Sequence, residues 1–416
     1  MKRLIAPMVA AASILILAPT ASAAMHVTWH RSFGATQRAV AVGSDGSIYV
    51  AGHRPLGPWY QAGPATLTKL TPKGAVVWSR SWRPHPEHPK VYEAAALAVD
   101  IAPSGTIYVA GTVQRYNCEG GGWFIRAYGP AGRPLHAFGT TQSWACRGRV
   151  GPQAITDLAV NGNRVVVAGT YYGCCGSEDF RDGWVRAFDG TLKPMWKAPF
   201  EPPATIPAGW GDDATGLSVS ALGNVFVSGW AATGPAKEGV TPPVGTLILE
   251  KVSSGGTVVW SHRPGVALGR SGYPGAPRTA QVSVSARGDR VMVSAAMRTP
   301  GGWLGRFDVG GVLMWSRRWG TQPTIDAEPA QVSVDTSMRT WVVGTQKDPS
   351  DHGRVPFVRR YGRDGVLFGT TRLDEGIRWL HGYGVAPAGV GAVAVGTATD
   401  RDGGSLQGGH VWRIAT

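Results

Sequence analysis

Seven copies of one pattern run through this chain: an apolar strand, a glycine-containing turn, a second apolar strand and a closing small residue. The copies are AVAVGSDGSIYVAG (39–52), LAVDIAPSGTIYVAG (97–111), LAVNGNRVVVAG (158–169), LSVSALGNVFVSG (217–229), VSVSARGDRVMVSA (282–295), VSVDTSMRTWVVG (332–344) and YGVAPAGVGAVAVG (383–396). Gly52 and Gly396 lie six periods apart, and a period of about 57 residues suits one four-stranded blade of a β-propeller. A second pattern follows each of the first six copies, as in TLTKLTPKGAVVWSRSW (66–82) and LILEKVSSGGTVVWSHR (247–263). It supplies two more strands, the last often containing Trp.

The seventh unit is incomplete. After Gly396 only one further strand remains, His410-Val411-Trp412-Arg413-Ile414. The missing fourth strand stands at the other end, as His26-Val27-Thr28-Trp29-His30-Arg31-Ser32-Phe33-Gly34, which matches the Trp-containing strand of the other units. Pairing the two ends would close a ring and cover exposed strand edges; an open array has no need of a split repeat. The expected fold is therefore all-β, a seven-bladed propeller spanning 24–416 as a single domain. Composition agrees: 59 Gly and 30 Pro punctuate many turns, and only 16% of residues are charged.

Residues 1–23 read as a secretory signal peptide. Lys2 and Arg3 precede an apolar run from Leu4 to Pro19, and Ala21-Ser22-Ala23 offers a small-x-small cleavage site. No later segment is apolar for long enough to span a bilayer. The expected product is secreted or periplasmic. The whole chain carries a net charge of +14, and loss of Lys2 and Arg3 leaves 39 basic against 27 acidic residues, or +12. That balance favours an acidic partner, such as an anionic polymer or the envelope surface.

The pairing of Val99-Asp100, Gly105 and Tyr108-Val109-Ala110-Gly111 with Phe124-Ile125-Arg126-Ala127-Tyr128 resembles the bacterial SBBP-type β-propeller repeat. The resemblance covers nearly the whole mature chain and is weakest in blades 5 and 7. It implies an exported propeller, and it implies no particular activity.

In a propeller the 1–2 and 3–4 turns share one face, and the 2–3 loops and blade-to-blade linkers share the other. Here the first set is tight, as in Ser44-Asp45-Gly46 and Pro72-Lys73-Gly74, and the second is long. By this map the long loops are nearly neutral, and the basic excess falls on the rim and the tight-turn face. Long loops on rigid strands are where binding sites usually sit. The candidate ligand-binding residues are accordingly Trp210, Asp212, Asp213, Asp326, Glu328, Asp374, Glu375, Trp379 and His381, in linkers leading to innermost strands. Their carboxylates would bind a cation or polar hydroxyls, and the Trp rings would stack on a sugar or peptide. The tight turns are expected to be too short to shape a pocket. Trp78, Trp196, Trp260 and Trp315 recur at one repeat position and are assigned to blade packing, as are the recurrent basic residues Lys69, Arg126, Arg186, Lys251, Arg306, Arg359 or Arg360, and Arg413.

Cys118, Cys146, Cys174 and Cys175 map to the long-loop face of blades 2 and 3. An even count in an exported chain points to disulfides. Connectivity stays open: Cys118–Cys146 with a vicinal Cys174–Cys175 bridge, or two bridges between loops. His85-Pro86-Glu87-His88 is not a metal-binding helix motif, and no G-x-S-x-G, P-loop or EF-hand pattern occurs. No cofactor, metal site or catalytic residue is expected. The reading is a monomeric, non-catalytic binding or scaffold propeller for a glycan, peptide or envelope component. The alternative is an extracellular propeller enzyme, a hydrolase, lyase or quinoprotein, with its site at the channel mouth.

Overall fold

The computed structural model describes residues 24–55, 62–83, 92–115, 120–143, 153–172, 181–200, 212–232, 245–268, 282–297, 301–320, 327–348, 353–373, 376, 379–399 and 406–416. Their strands form seven antiparallel sheets, each with a four-stranded path. Blades 1 to 6 follow chain order from an inner strand to an outer one: Thr36–Val42 to Val76–Trp82, Tyr92–Ile101 to Pro134–Ser143, Gln153–Asn161 to Pro194–Phe200, Asp212–Val219 to Val258–His262, Val282–Arg287 to Leu313–Trp319, and Ala327–Val334 to Leu367–Arg372. Blade 4 gains a short fifth strand, Ala267–Leu268, against Gly245–Val252. Among the described residues no helix is long and apolar enough to cross a membrane.

Blade 7 is closed by the N-terminus. Strand His26–Phe33 pairs antiparallel with Leu406–Ala415, from His26 opposite Ala415 to Phe33 opposite Gly409. This is the closure that the split repeat predicts. At the seam His30 Nε2 and His410 Nδ1 share a hydrogen bond of 2.9 Å, and both rings stack near Trp412.

Second strands such as Val225–Ala232 and Gly391–Thr399 are buried on both faces, because each blade is packed between two others. That explains their continuous Val, Ala and Gly content. Outer strands are exposed over most of their length, as in Val76–Trp82. Their repeat-position Trp does not point to solvent alone. Trp78 Nε1 donates to Pro130 O of the next blade (3.1 Å), Trp196 to Ser254 O (3.0 Å), Trp260 to Val309 O (3.3 Å), and Trp29 to Pro72 O across the seam (3.2 Å). Each ring thus locks onto the 3–4 turn of its neighbour. The recurrent cations complete this packing: Arg126 lies over Trp82 at 5.3 Å and Arg359 over Trp319 at 4.9 Å, both in preceding blades.

One repeat feature sets the inner wall. In six blades the inner strand carries a β-bulge against the second strand: at Gln37/Ala39, Ala96/Ala98, Ile155/Asp157, Ala214/Gly216, Pro329/Gln331 and Gly382/Gly384. The glycine closing each first-pattern copy sits opposite. A Cβ on Gly111 would stand 1.9 Å from Ala95 O, and one on Gly229 1.9 Å from Asp213 O. Blade 5 has Ala295 at this position, and there Val282–Arg287 pairs with Arg290–Ala296 without a bulge. The motif glycine is thus the sequence mark of a bulge, which re-aims one inner-strand side chain per blade.

Candidate functional site

The side chains re-aimed by the bulges are Arg38, Leu97, Thr156, Thr215, Ala330 and Tyr383, and all six line an axial channel of about 540 Å³ walled by the inner strands of all seven blades. Arg38 lies over the Tyr383 ring, 4.2 Å from its centroid, where blades 1 and 7 meet.

Below this ring, polar side chains bind the backbone of the next inner strand, whose channel edge has no strand partner. Asp100 accepts from Ile101 N–H (2.8 Å) and from Val160 N–H of blade 3 (2.7 Å). Asp157 repeats the arrangement with Leu158 N–H and Leu217 N–H of blade 4, both at 2.8 Å. Ser218 accepts from Ala286 N–H (2.9 Å), Ser283 from Val332 N–H (3.3 Å), Ser285 from Val334 N–H (3.1 Å), and Gln331 Oε1 from Val385 N–H (2.7 Å). A belt of side chains thus ties blade 2 through to blade 7 and satisfies backbone groups that would otherwise be orphaned. Burial pushes the Asp100 carboxyl up to about 6 despite its two N–H donors. Burial, with Asp100 adding in the same direction, takes Asp157 to about 7.

At the tight-turn end the channel meets a second concavity of about 1040 Å³, over the turns of blades 1, 2 and 7. Pro72, Pro103, Pro130 and Pro387 form its walls with Tyr49, and Arg413 and Arg287 stand at its edge. The expectation that this face has no pocket is therefore corrected. No single turn shapes it; the space lies between turns of neighbouring blades. Arg287 borders both cavities.

Five of the nine residues chosen from sequence fall among the described residues. Trp210, Asp326, Asp374 and Glu375 lie outside the described residues, as do the four cysteines and the leader. None of the other five borders the channel. Asp212 and Asp213 stand not in a linker but in the inner strand of blade 4, which begins five residues before the repeat pattern does. Asp213 is fully buried and its Oδ2 accepts from Trp230 Nε1 at 2.8 Å. Asp212, 8% exposed, accepts from Gly183 N–H at 2.5 Å. Burial raises it to about 8, and the charges of Asp182, Asp213 and Glu250 push the same way. Glu250, fully buried on the third strand of the same blade, was not foreseen; its place in the repeat resembles any other strand residue. Glu328 is half-buried in the inner strand of blade 6. His381 is half-buried in that of blade 7, its basicity lowered to about 4 by burial and by Arg354 and Arg38. Trp379 is half-buried, and its carbonyl accepts from Thr399 N–H at 2.8 Å. Among the described residues, no group of three or more His, Cys, Asp or Glu side chains is placed to hold a metal ion.

Seven closed four-stranded blades around an axial channel define the protein as a seven-bladed β-propeller. No protein-family model and no curated protein matches the chain. Among solved structures, an α-L-arabinofuranosidase of Fusarium graminearum from glycoside hydrolase family 93 aligns at 11% identity, covering 92% of this chain and 93% of its own, with a TM-score of 0.47. An apocarotenoid oxygenase of Synechocystis aligns at 11% identity over 81% of this chain and 71% of its own, with a TM-score of 0.44. The fold assignment rests on the sheets themselves.

Proposed function

We propose that this propeller is an exported, non-catalytic binding or scaffold module that engages an anionic polymer through its rim. The observation that carries this is the charge of the outer strands. Together the seven hold Arg31, Arg80, Lys197, Arg317, Arg318 and Arg372, and not one Asp or Glu. Lys197 and Arg318 are exposed, and exposed Lys73, Arg133, Lys193 and Arg363 extend the field onto the adjoining turns. The outer strands carry one sign, while exposed Asp364 adjoins Arg363 in its turn; a predominantly basic rim attracts polyanions and repels like edges. The test is co-sedimentation of the mature chain with polygalacturonate and with neutral dextran at several salt concentrations. Retention by the polyanion, weakening with salt, is expected. Reversal of Lys197, Arg318 and Arg363 to Glu should weaken it about tenfold. Binding insensitive to salt and to these reversals would overturn the reading.

One observation favours a second reading, an extracellular hydrolase or lyase. Burial, with the charges of Asp182, Asp213 and Glu250 adding in the same direction, pushes the Asp212 carboxyl up to about 8, the direction a general acid needs. That reading requires a glycosidic or ester-cleaving activity that disappears in Asp212→Asn.

A further inference from the structure

The inner strand of blade 5 places Ser283, Ser285 and Arg287 at alternate positions, so the three side chains share one face of the strand. All three line the axial channel, together with Ser218 from blade 4. Each of the three serine hydroxyls already accepts a backbone N–H from the next blade. A hydroxyl that accepts still has its own proton to give, and none of these three donates to another protein group among the described residues. Arg287 is exposed and borders both the channel and the tight-turn concavity. Its guanidinium makes no hydrogen bond or ion pair with the described residues.

The carboxylates of the channel do not cancel this wall. Asp100 and Asp157 belong to blades 2 and 3, and each carries two backbone N–H donors. Asp335 is tied to Arg339 at 2.6 Å and accepts from Trp341 Nε1 at 3.2 Å. Arg38 adds a second cation at the opposite mouth.

We propose that the axial channel is an oxyanion-binding site, taking a phosphate or carboxylate group against Ser218, Ser283, Ser285 and the guanidinium of Arg287. Three hydroxyl donors and one planar fork of N–H donors suit an anion with several acceptor oxygens. The channel volume of about 540 Å³ admits such a group alone or as the acidic end of a larger ligand entering from the concavity. This site is separate from the rim and does not depend on the polymer reading.

Isothermal titration of the mature chain with inorganic phosphate and with citrate, at constant ionic strength set with sodium chloride, tests it. Saturable one-site binding of one or both is expected, and the tighter of the two assigns the phosphoryl or carboxylate source. Arg287→Gln should weaken binding about tenfold or more. Arg287→Lys should weaken it less, because the charge stays while the fork is lost. The double variant Ser283→Ala with Ser285→Ala should also weaken it, with its melting curve recorded because both hydroxyls tie blades 5 and 6. Arg318→Glu on the rim should leave phosphate and citrate binding unchanged while lowering polymer retention. No saturable binding of either anion, or equal binding by the parent and Arg287→Gln, would overturn the proposal.

Discussion

Gly111 has no room for a methyl group. Its ideal Cβ position lies 1.9 Å from the carbonyl oxygen of Ala95 and 2.8 Å from the Phe124 ring, so an alanine there must push the bulged inner strand towards the channel. Gly111→Ala is expected to cost about 1–3 kcal/mol, as overpacking of a filled core does. Urea denaturation measures it, and a variant as stable as the parent would remove the link between this glycine and the bulge. Asp212 offers a test with a definite sign. Burial pushes its carboxyl up to about 8 in the folded chain, against an ordinary value of 3.8. The folded chain therefore holds more protons than the unfolded chain across that window, and the stability linked to this group is lost as pH rises through about 8. Asp212→Asn mimics the protonated form. Its melting temperature should gain on the parent between pH 5 and pH 9, measured at several pH values by thermal melts; an unchanged difference would show that Asp212 ionises freely.

At the scale of the element, the strand His26–Phe33 carries the closure. It covers the edge of Leu406–Ala415, sends Trp29 and Arg31 onto the 3–4 turn of blade 1, and joins His30 to His410. Deleting residues 24–34 should uncover the edge of blade 7 and remove the contacts of that blade with Pro72 O and Gly74 O. Exposed edges template pairing with other chains, so aggregation or a markedly lower melting temperature is expected. Size-exclusion chromatography and thermal melts check this, and a monomeric variant as stable as the parent would contradict it. The same strand was readable in advance because His26–Gly34 repeats the Trp-containing pattern of the other blades. The outer-strand Trp residues were readable for the same reason. The tight-turn concavity was not, because no single turn encloses it; Ser44, Ser104 and Pro387 lie in three blades that only the closed ring brings together.

For the whole molecule, the ring converts a scattered charge excess into two distinct fields. Basic residues that stand as singles along the chain become a predominantly basic rim when the seven outer strands are arrayed, while the channel draws its cations from Arg38 and Arg287. The seven-fold pattern determined the class of fold, the blade length and the closing strand by itself. Alternation and turn glycines act over a few residues, and the period is a simple count. What only the tertiary structure decided is where inner-strand side chains point. Thr156 and Asp157 are neighbours in sequence, yet a bulge between Ile155 and Asp157 aims the first at Ala214 O and leaves the second gripping Leu217 N–H. Both partners are about sixty residues away, one blade on. Asp212 and Glu250 likewise acquire their shared environment from strands that are not adjacent in sequence. Local pattern sets the strand, but burial, field and hydrogen-bond partners come from the neighbouring blade, which only packing supplies.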